Sequence, residues 1–391
     1  MLAQSLKASL NDMSQQLADL RPFNSKIQSE LDKKFRLEFN FNSNHLEGNT
    51  LTYNETELLL IFDQTDGSHE YRELMEMEAH DVALKMIEEE SQDKERPLTE
   101  QFIRMINLTL LVKPFWKDAK TVDGQATRKQ IIPGKYKETP NSVQLNNGEM
   151  FHYTLPGDVP NEMGDLVKWV NSNPENYDPI ELAAMLHYKF VRVHPFDDGN
   201  GRTARLLMNY ILMRNGLPMV VIKSTEKKEY LTALNKADVG DLSAFVNYIG
   251  TSLIWSFNIS LKAARGESIE EVDDIMKEID LLVKDLSRLP DEYDKRYSAL
   301  ETHKVLVKSS VPIFIQLNDR LSKIVPLFVE SKQLINLNIR DNKSLSDYNY
   351  EIDIEKAHNL DKLEEFDDGE TIRGLSIGIS LFALKKATDE V

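Results

Sequence analysis

The sequence predicts a mainly α-helical protein with one β-hairpin region inside it and a smaller α+β module behind it. Three observations predict this. Apolar residues recur every three or four positions through most of residues 1–112 and 159–262, the period of an amphipathic helix. Residues 113–155 break that period with Pro114, Asp123-Gly124, Pro133-Gly134, Pro140-Asn141 and Asn146-Asn147-Gly148, a density of turn residues that suits hairpins. Past residue 263, three short runs alternate with a period of two, as strands do. The expected division is an N-terminal helical region over 1–95, a helical core over 96–262 and an α+β module over 263–391.

The elements follow in order. Leu2, Leu6, Leu10, Met13, Leu17 and Leu20 define a first helix. Phe35, Phe39 and Leu46 fit a second, although Phe35, Leu37, Phe39 and Phe41 would also suit a strand. Gly48 is a plausible stop, and Thr52 with Glu55 three residues on forms a capping box for a third. Residues 68–91 read as a long charged helix with a solvated acidic end, and 98–112 as another. Helices resume over 159–173, 178–192, 201–214, 226–238 and 241–262. In the tail, helices are expected over 266–289 and 311–333, and strands over Ile335–Ile339, Tyr348–Ile354 and Leu375–Leu381. No internal repeat or low-complexity tract interrupts the chain.

Composition narrows the function. The chain has 391 residues, a formal net charge of -17 and no cysteine. The charge argues against nucleic acid as a general partner, because a phosphate backbone needs a positive surface. Without cysteine there is no disulfide, thiolate metal site or cysteine nucleophile. No histidine pair has zinc spacing. The first twenty residues lack the apolar core of a signal peptide, and no run of ~20 apolar residues exists, so a cytoplasmic protein is expected.

One stretch concentrates chemistry: His194-Pro195-Phe196-Asp197-Asp198-Gly199-Asn200-Gly201-Arg202-Thr203-Ala204-Arg205. Gly199, Asn200 and Gly201 can take conformations that turn successive N–H groups into an anion nest. The helix that starts there adds its positive end. Arg202 and Arg205 lie one turn apart and can donate to phosphate oxygens. Asp198 sits where a carboxylate can hold Mg²⁺. His194 ends an apolar helix, and a neutral imidazole can take a proton from a hydroxyl. Together these parts describe phosphoryl or nucleotidyl transfer from a nucleoside triphosphate.

HPFDDGNGRTAR resembles the Fic-domain motif, HPFx(D/E)GNGRxxR, at every fixed position, over roughly residues 40 to 255. The resemblance implies a Fic-fold helical core with a β-hairpin flap. It implies an adenylyltransferase that moves AMP from ATP to a Ser, Thr or Tyr hydroxyl of a target protein. His194 would be the base and Phe196 a buried anchor. Asp198 would bind Mg²⁺, while Gly199, Asn200, Gly201 and Arg202 would hold the inner phosphates and Arg205 the γ-phosphate. Asp197, at the variable position, would point elsewhere. The kinase-like Doc branch carries Ala and Lys in place of Gly199 and Gly201, which argues against a kinase.

Ser43-Asn44-His45-Leu46-Glu47-Gly48-Asn49 resembles the inhibitory motif (S/T)xxxE(G/N) of the same family. The resemblance implies that Glu47, one helical turn from Ser43, reaches Arg205 and blocks the γ-phosphate. In related proteins this glutamate can also direct water to remove AMP, so de-AMPylation stands as an alternative. A nucleotide-binding adaptor is a rival of another class, disfavoured by intact His194 and Asp198. Residues 130–145 resemble the target-registering flap, with Tyr136, Lys137 and Val143 as its working residues. Tyr230, Leu234 and Asp238 fall where the family closes its adenine pocket, and Asp238 departs from the usual Asn. His187 reads as a core residue, and His45 as exposed. Self-modification and an oligomer are possible.

Overall fold

The structure, a computed structural model, describes residues 1–65, 69–120, 125–144, 150–269, 328–341, 346–353 and 370–384. It divides into two units, Met1–Val283 and Lys284–Val391. The protein is mainly helical, with ten α-helices among the described residues.

The first unit is built round helix α8 (Asn200–Arg214), which is buried from Thr203 to Leu212 on every face. A helix of this kind belongs at the centre of a core. Against it pack α7 (Pro179–Val193), α4 (Tyr71–Gln92), α5 (Glu100–Leu111) and α2 (Ser25–Leu46). Outside these lie α1 (Gln4–Asp19) against α10 (Leu242–Ala264), α3 (Tyr53–Phe62), α6 (Val159–Ser172) and α9 (Lys227–Asp238).

Local chemistry sets the ends that matter for the site. The Thr52–Glu55 capping box forms in both directions at the start of α3. Gly48 turns left-handed at φ 100° just past α2. Asp178 caps α7, and His194 closes it in the left-handed region at φ 48°, ψ 60°. For a residue with a Cβ this costs about 1–2 kcal/mol.

The strand-like spacing of Phe35, Leu37, Phe39 and Phe41 has a helical explanation. Phe35 and Phe39, i and i+4, face the main core, while Leu37 and Phe41 face a second cluster with Leu51, Tyr53, Leu59 and Met77. A helix wedged between two cores shows both periods at once.

The hairpin region holds two hairpins. β1 (Phe115–Lys120) pairs with β2 (Ala126–Ile131), and β3 (Ser142–Gln144) with β4 (Met150–His152). This corrects the expected flap over 130–145. Val143 belongs to the second hairpin, opposite Phe151, but Tyr136 and Lys137 precede it. They lie in a loop that docks on the motif: Tyr136 bridges Phe196, and the Lys137 N–H donates to Pro195 O at 2.8 Å. Lys137 is buried and donates to Val193 O at 3.3 Å, and the Tyr136 hydroxyl donates to Glu100. Gly134 turns the chain here at φ 69°, with its N–H donating to Asn107 Oδ1.

The second unit contains an antiparallel sheet ordered β6–β5–β7, with β5 (Phe328–Asp341) central between β6 (Ser346–Asp353) and β7 (Glu370–Leu384). All three expected strands are present. β5 starts earlier than expected, so residues 328–333 are strand where a helix was predicted. Residues 266–269 are not helical, and the rest of the helices expected over 266–289 and 311–327 lies outside the described residues.

Candidate active site

The loop between α7 and α8 gathers the motif. Phe196 is 1% exposed and anchors it against Phe190 and Tyr136. Asn200 clamps the loop, accepting from Phe196 N at 3.0 Å and donating to Phe196 O at 2.8 Å. Gly199 has φ 77°, and a Cβ there would meet Asn107 Nδ2 at 2.9 Å. That Asn107 amide holds the Asp198 carbonyl at 2.9 Å.

His194 stacks on Tyr153, with ring centroids 3.9 Å apart and 18° between planes. Burial is the main cause that pulls its pKa down to about 4, helped by the nearby Lys137 cation. The imidazole is therefore neutral at pH 7 and able to accept a proton.

Asp198 accepts from Gly199 N at 2.7 Å through Oδ1 and from Lys117 Nζ at 2.8 Å through Oδ2. Burial pushes its pKa up, but Lys117, Arg202 and the Gly199 N–H outweigh that and hold it below the usual carboxylate range. Lys129, directly opposite Lys117 in the first hairpin, pairs with Asp197. Like charges facing each other across a hairpin are unfavourable, and the two motif acids compensate both. Among the described residues no group of three or more acidic or histidine side chains is set to hold a metal. A lone ionised carboxylate beside a phosphate seat still fits Mg²⁺, which keeps waters and takes phosphate oxygens.

Arg205 is 2% exposed. Its Nε donates to Ser43 Oγ at 2.9 Å, and its Nη2 to Ser43 O and Glu47 Oε1, each at 2.8 Å. Burial pushes the Glu47 pKa up, but the Arg205 cation and hydrogen bond more than offset it, so the carboxyl stays ionised. A Cβ on Gly201 would collide with Glu47 Oε1. The carboxylate thus sits over the N-terminal turn of α8, where an anion is favoured. Arg202, 4% exposed, donates to Glu76 at 2.7 Å.

The structure brings Ser43, Glu47, His194 and residues 198–205 together. Tyr230 is buried beside Arg205, with its hydroxyl 3.0 Å from His187 Nε2, and burial raises its pKa to about 12. His187 is fully buried, as expected, and His45 is exposed. Asp238 is committed to Arg192 at 3.1 Å, a partner that the sequence did not reveal. Also missed were Lys117, Tyr153, Asn107, Glu76 and His80. For the last two a signal existed: polar residues one turn apart, flanking buried Met77 and Ala79 on a helix read only as long and charged.

A family model described as Fic/DOC family matches residues 97–212. A crystallised Fic-domain-containing signaling protein from Bacteroides thetaiotaomicron is 45% identical, with a TM-score of 0.62, covering 67% of this chain and 98% of that one. The chain belongs to the Fic/DOC family. Among curated Fic relatives, protein adenylyltransferase fic-1 of Caenorhabditis briggsae is 34% identical over 206 residues, 52% of this chain and 37% of that protein. Protein adenylyltransferase Fic of Nematostella vectensis is 34% identical over 210 residues, covering 54% and 45%. The chain thus spans less than half the length of these relatives. No helix among the described residues is long and apolar enough to cross a membrane.

Proposed function

We propose that this Fic protein is a protein adenylyltransferase restrained by its own Glu47. The observation that carries the reading is a neutral, half-buried His194 on the same loop as an anion nest, followed by two buried arginines. The names of its curated relatives support the reaction class.

A target Ser, Thr or Tyr hydroxyl would approach His194, which accepts its proton as the oxygen bonds to the α-phosphorus of ATP. The bond from that phosphorus to the bridging oxygen breaks, and pyrophosphate leaves. Gly199, Asn200 and Gly201 would cradle the inner phosphates, with Arg202 beside them and Arg205 on the γ-phosphate. Mg²⁺ on Asp198 would supply charge neutralisation between the phosphates. Lys117 would give up Asp198 to that cation. Tyr230 and Asp238 would border the adenine, and the β3–β4 hairpin with Val143 would register the target by strand pairing.

On this reading residues 1–95 carry the brake and 96–262 the transfer chemistry, and the protein acts in the cytoplasm. While Glu47 holds Arg205 and covers Gly201, the γ-phosphate has no seat. The test uses ATP labelled on the α-phosphate with the Glu47→Gly variant. Label should enter protein, and adding His194→Ala should abolish it while calorimetry still records ATP binding. Undiminished labelling without His194 would rule out the base.

A further inference from the structure

Arg205 does not end at Ser43 and Glu47. Ser43 Oγ lies 2.9 Å from His80 Nε2, His80 Nδ1 lies 2.6 Å from Asn40 Oδ1, and Asn40 Nδ2 lies 3.0 Å from Asp81 Oδ1. Asp81 in turn accepts from Arg36 Nε at 2.6 Å and Nη2 at 2.8 Å. Asn40, Ser43 and His80 are at most 1% exposed, and Asp81 is 4% exposed.

The two ends fix every direction between them. Arginine has only donors, so the Ser43 oxygen accepts from Arg205 and its hydrogen points to His80. Ionised Asp81 only accepts, so the Asn40 amide nitrogen faces it and the Asn40 oxygen faces His80. His80 must then carry its proton on Nδ1 and accept on Nε2. Burial lowers its pKa well below the ordinary value, and the Arg202 and Arg205 cations add to this, so it carries that one proton. Arg205, Ser43, His80, Asn40 and Asp81 form a chain of donors all pointing one way, in which each bond polarises the next.

We propose that His80 is a positioning residue for Arg205, holding the Ser43 hydroxyl as an acceptor so that the arginine stays turned to Glu47. His80 touches neither nucleotide nor target. It acts from α4, through the last turn of α2. This rests on the restrained-transferase reading above. It adds a control point on a second helix, with Asp81 and Arg36 as its outer support.

Without the imidazole acceptor, the Ser43 hydrogen is free to turn toward Arg205, and the arginine loses its Nε partner. The restraint then weakens. Two activities are compared: self-labelling from ATP in His80→Leu, and in His80→Leu combined with Glu47→Gly. The expected result is a rise of roughly fivefold in the first and no further rise in the second, since both act through one contact. A rise cannot come from a loosened core. If His80→Leu does not fold, Ser43→Ala carries the same expectation. An unchanged or lower rate in a folded single variant overturns the proposal, as does an equal rise in both backgrounds. If Glu47→Gly itself transfers nothing, the reaction assignment fails and calorimetry decides His80 alone. ATP affinity rising roughly fivefold with AMP affinity constant supports it, and equal or absent shifts overturn it.

Discussion

Glu47 and Lys117 stand against the same loop with opposite charges and different surroundings. Each meets one of its charged groups. Glu47 puts a carboxylate on Arg205, over the turn that favours anions; Lys117 puts an ammonium on Asp198, the acid suited to a cation. Arg205 is 2% exposed and held by three hydrogen bonds from the end of α2, backed by the chain through His80, although its partner Glu47 keeps 42% of its own side chain exposed. Asp198 keeps 22% of its side chain exposed, and Lys117 keeps 56%. An ion pair between exposed groups is worth about 0–1 kcal/mol. Removing the partner of a buried charge leaves that charge uncompensated, at a cost of a few kcal/mol. The lesson is that the two surrogates differ in grip. On the proposed reading the lysine would yield readily to a competing cation, while Arg205 would become available only when Glu47 is displaced.

Acidification should probe the buried side first, with the larger effect. His187 is held at about 3 and His80 well below the ordinary value, both by burial. Their unfolded forms bind a proton from about pH 6.5 downward while the folded forms do not, so stability falls as pH falls through that window. For His187 alone the loss between pH 6.5 and 5 is about 2 kcal/mol. Glu88 works in the other direction, since burial raises its pKa to about 7. Thermal melts of Glu88→Gln should therefore drop more steeply toward pH 5 than those of the parent protein. A flat profile in that variant would contradict the burial of the imidazoles.

The exposed side should respond least. Lys117→Ala should change stability by no more than about 0.5 kcal/mol in a denaturant titration. A loss of several kcal/mol there would erase the contrast with Arg205.

Much of this was legible in the sequence because it is local. Helical periods, the capping box, the Gly48 stop and the contiguous motif all lie within one or two turns of chain. Glu47 against Arg205 was also legible, through a second short motif. What stayed hidden depends on tertiary pairing. Lys117 reaches Asp198 only because a hairpin folds back over 81 residues, and His80 reaches Ser43 only because α4 packs on α2. Tyr136 and Lys137 were expected in the flap, and their docking on Phe196 and Pro195 stayed hidden because it depends on a loop folding back onto the motif. The start of β5 was missed because residues 330–333, Glu-Ser-Lys-Gln, carry no apolar alternation that would mark a strand.

The central claim is that the Glu47 carboxylate and the terminal phosphate of ATP compete for Arg205. Calorimetric affinities for ATP and for AMP, in the parent protein and in Glu47→Gly, test it most directly. The account predicts that the ratio of ATP to AMP affinity rises roughly tenfold on substitution, since only ATP carries the competing phosphate. An unchanged ratio would mean that Glu47 and the phosphate never share a site.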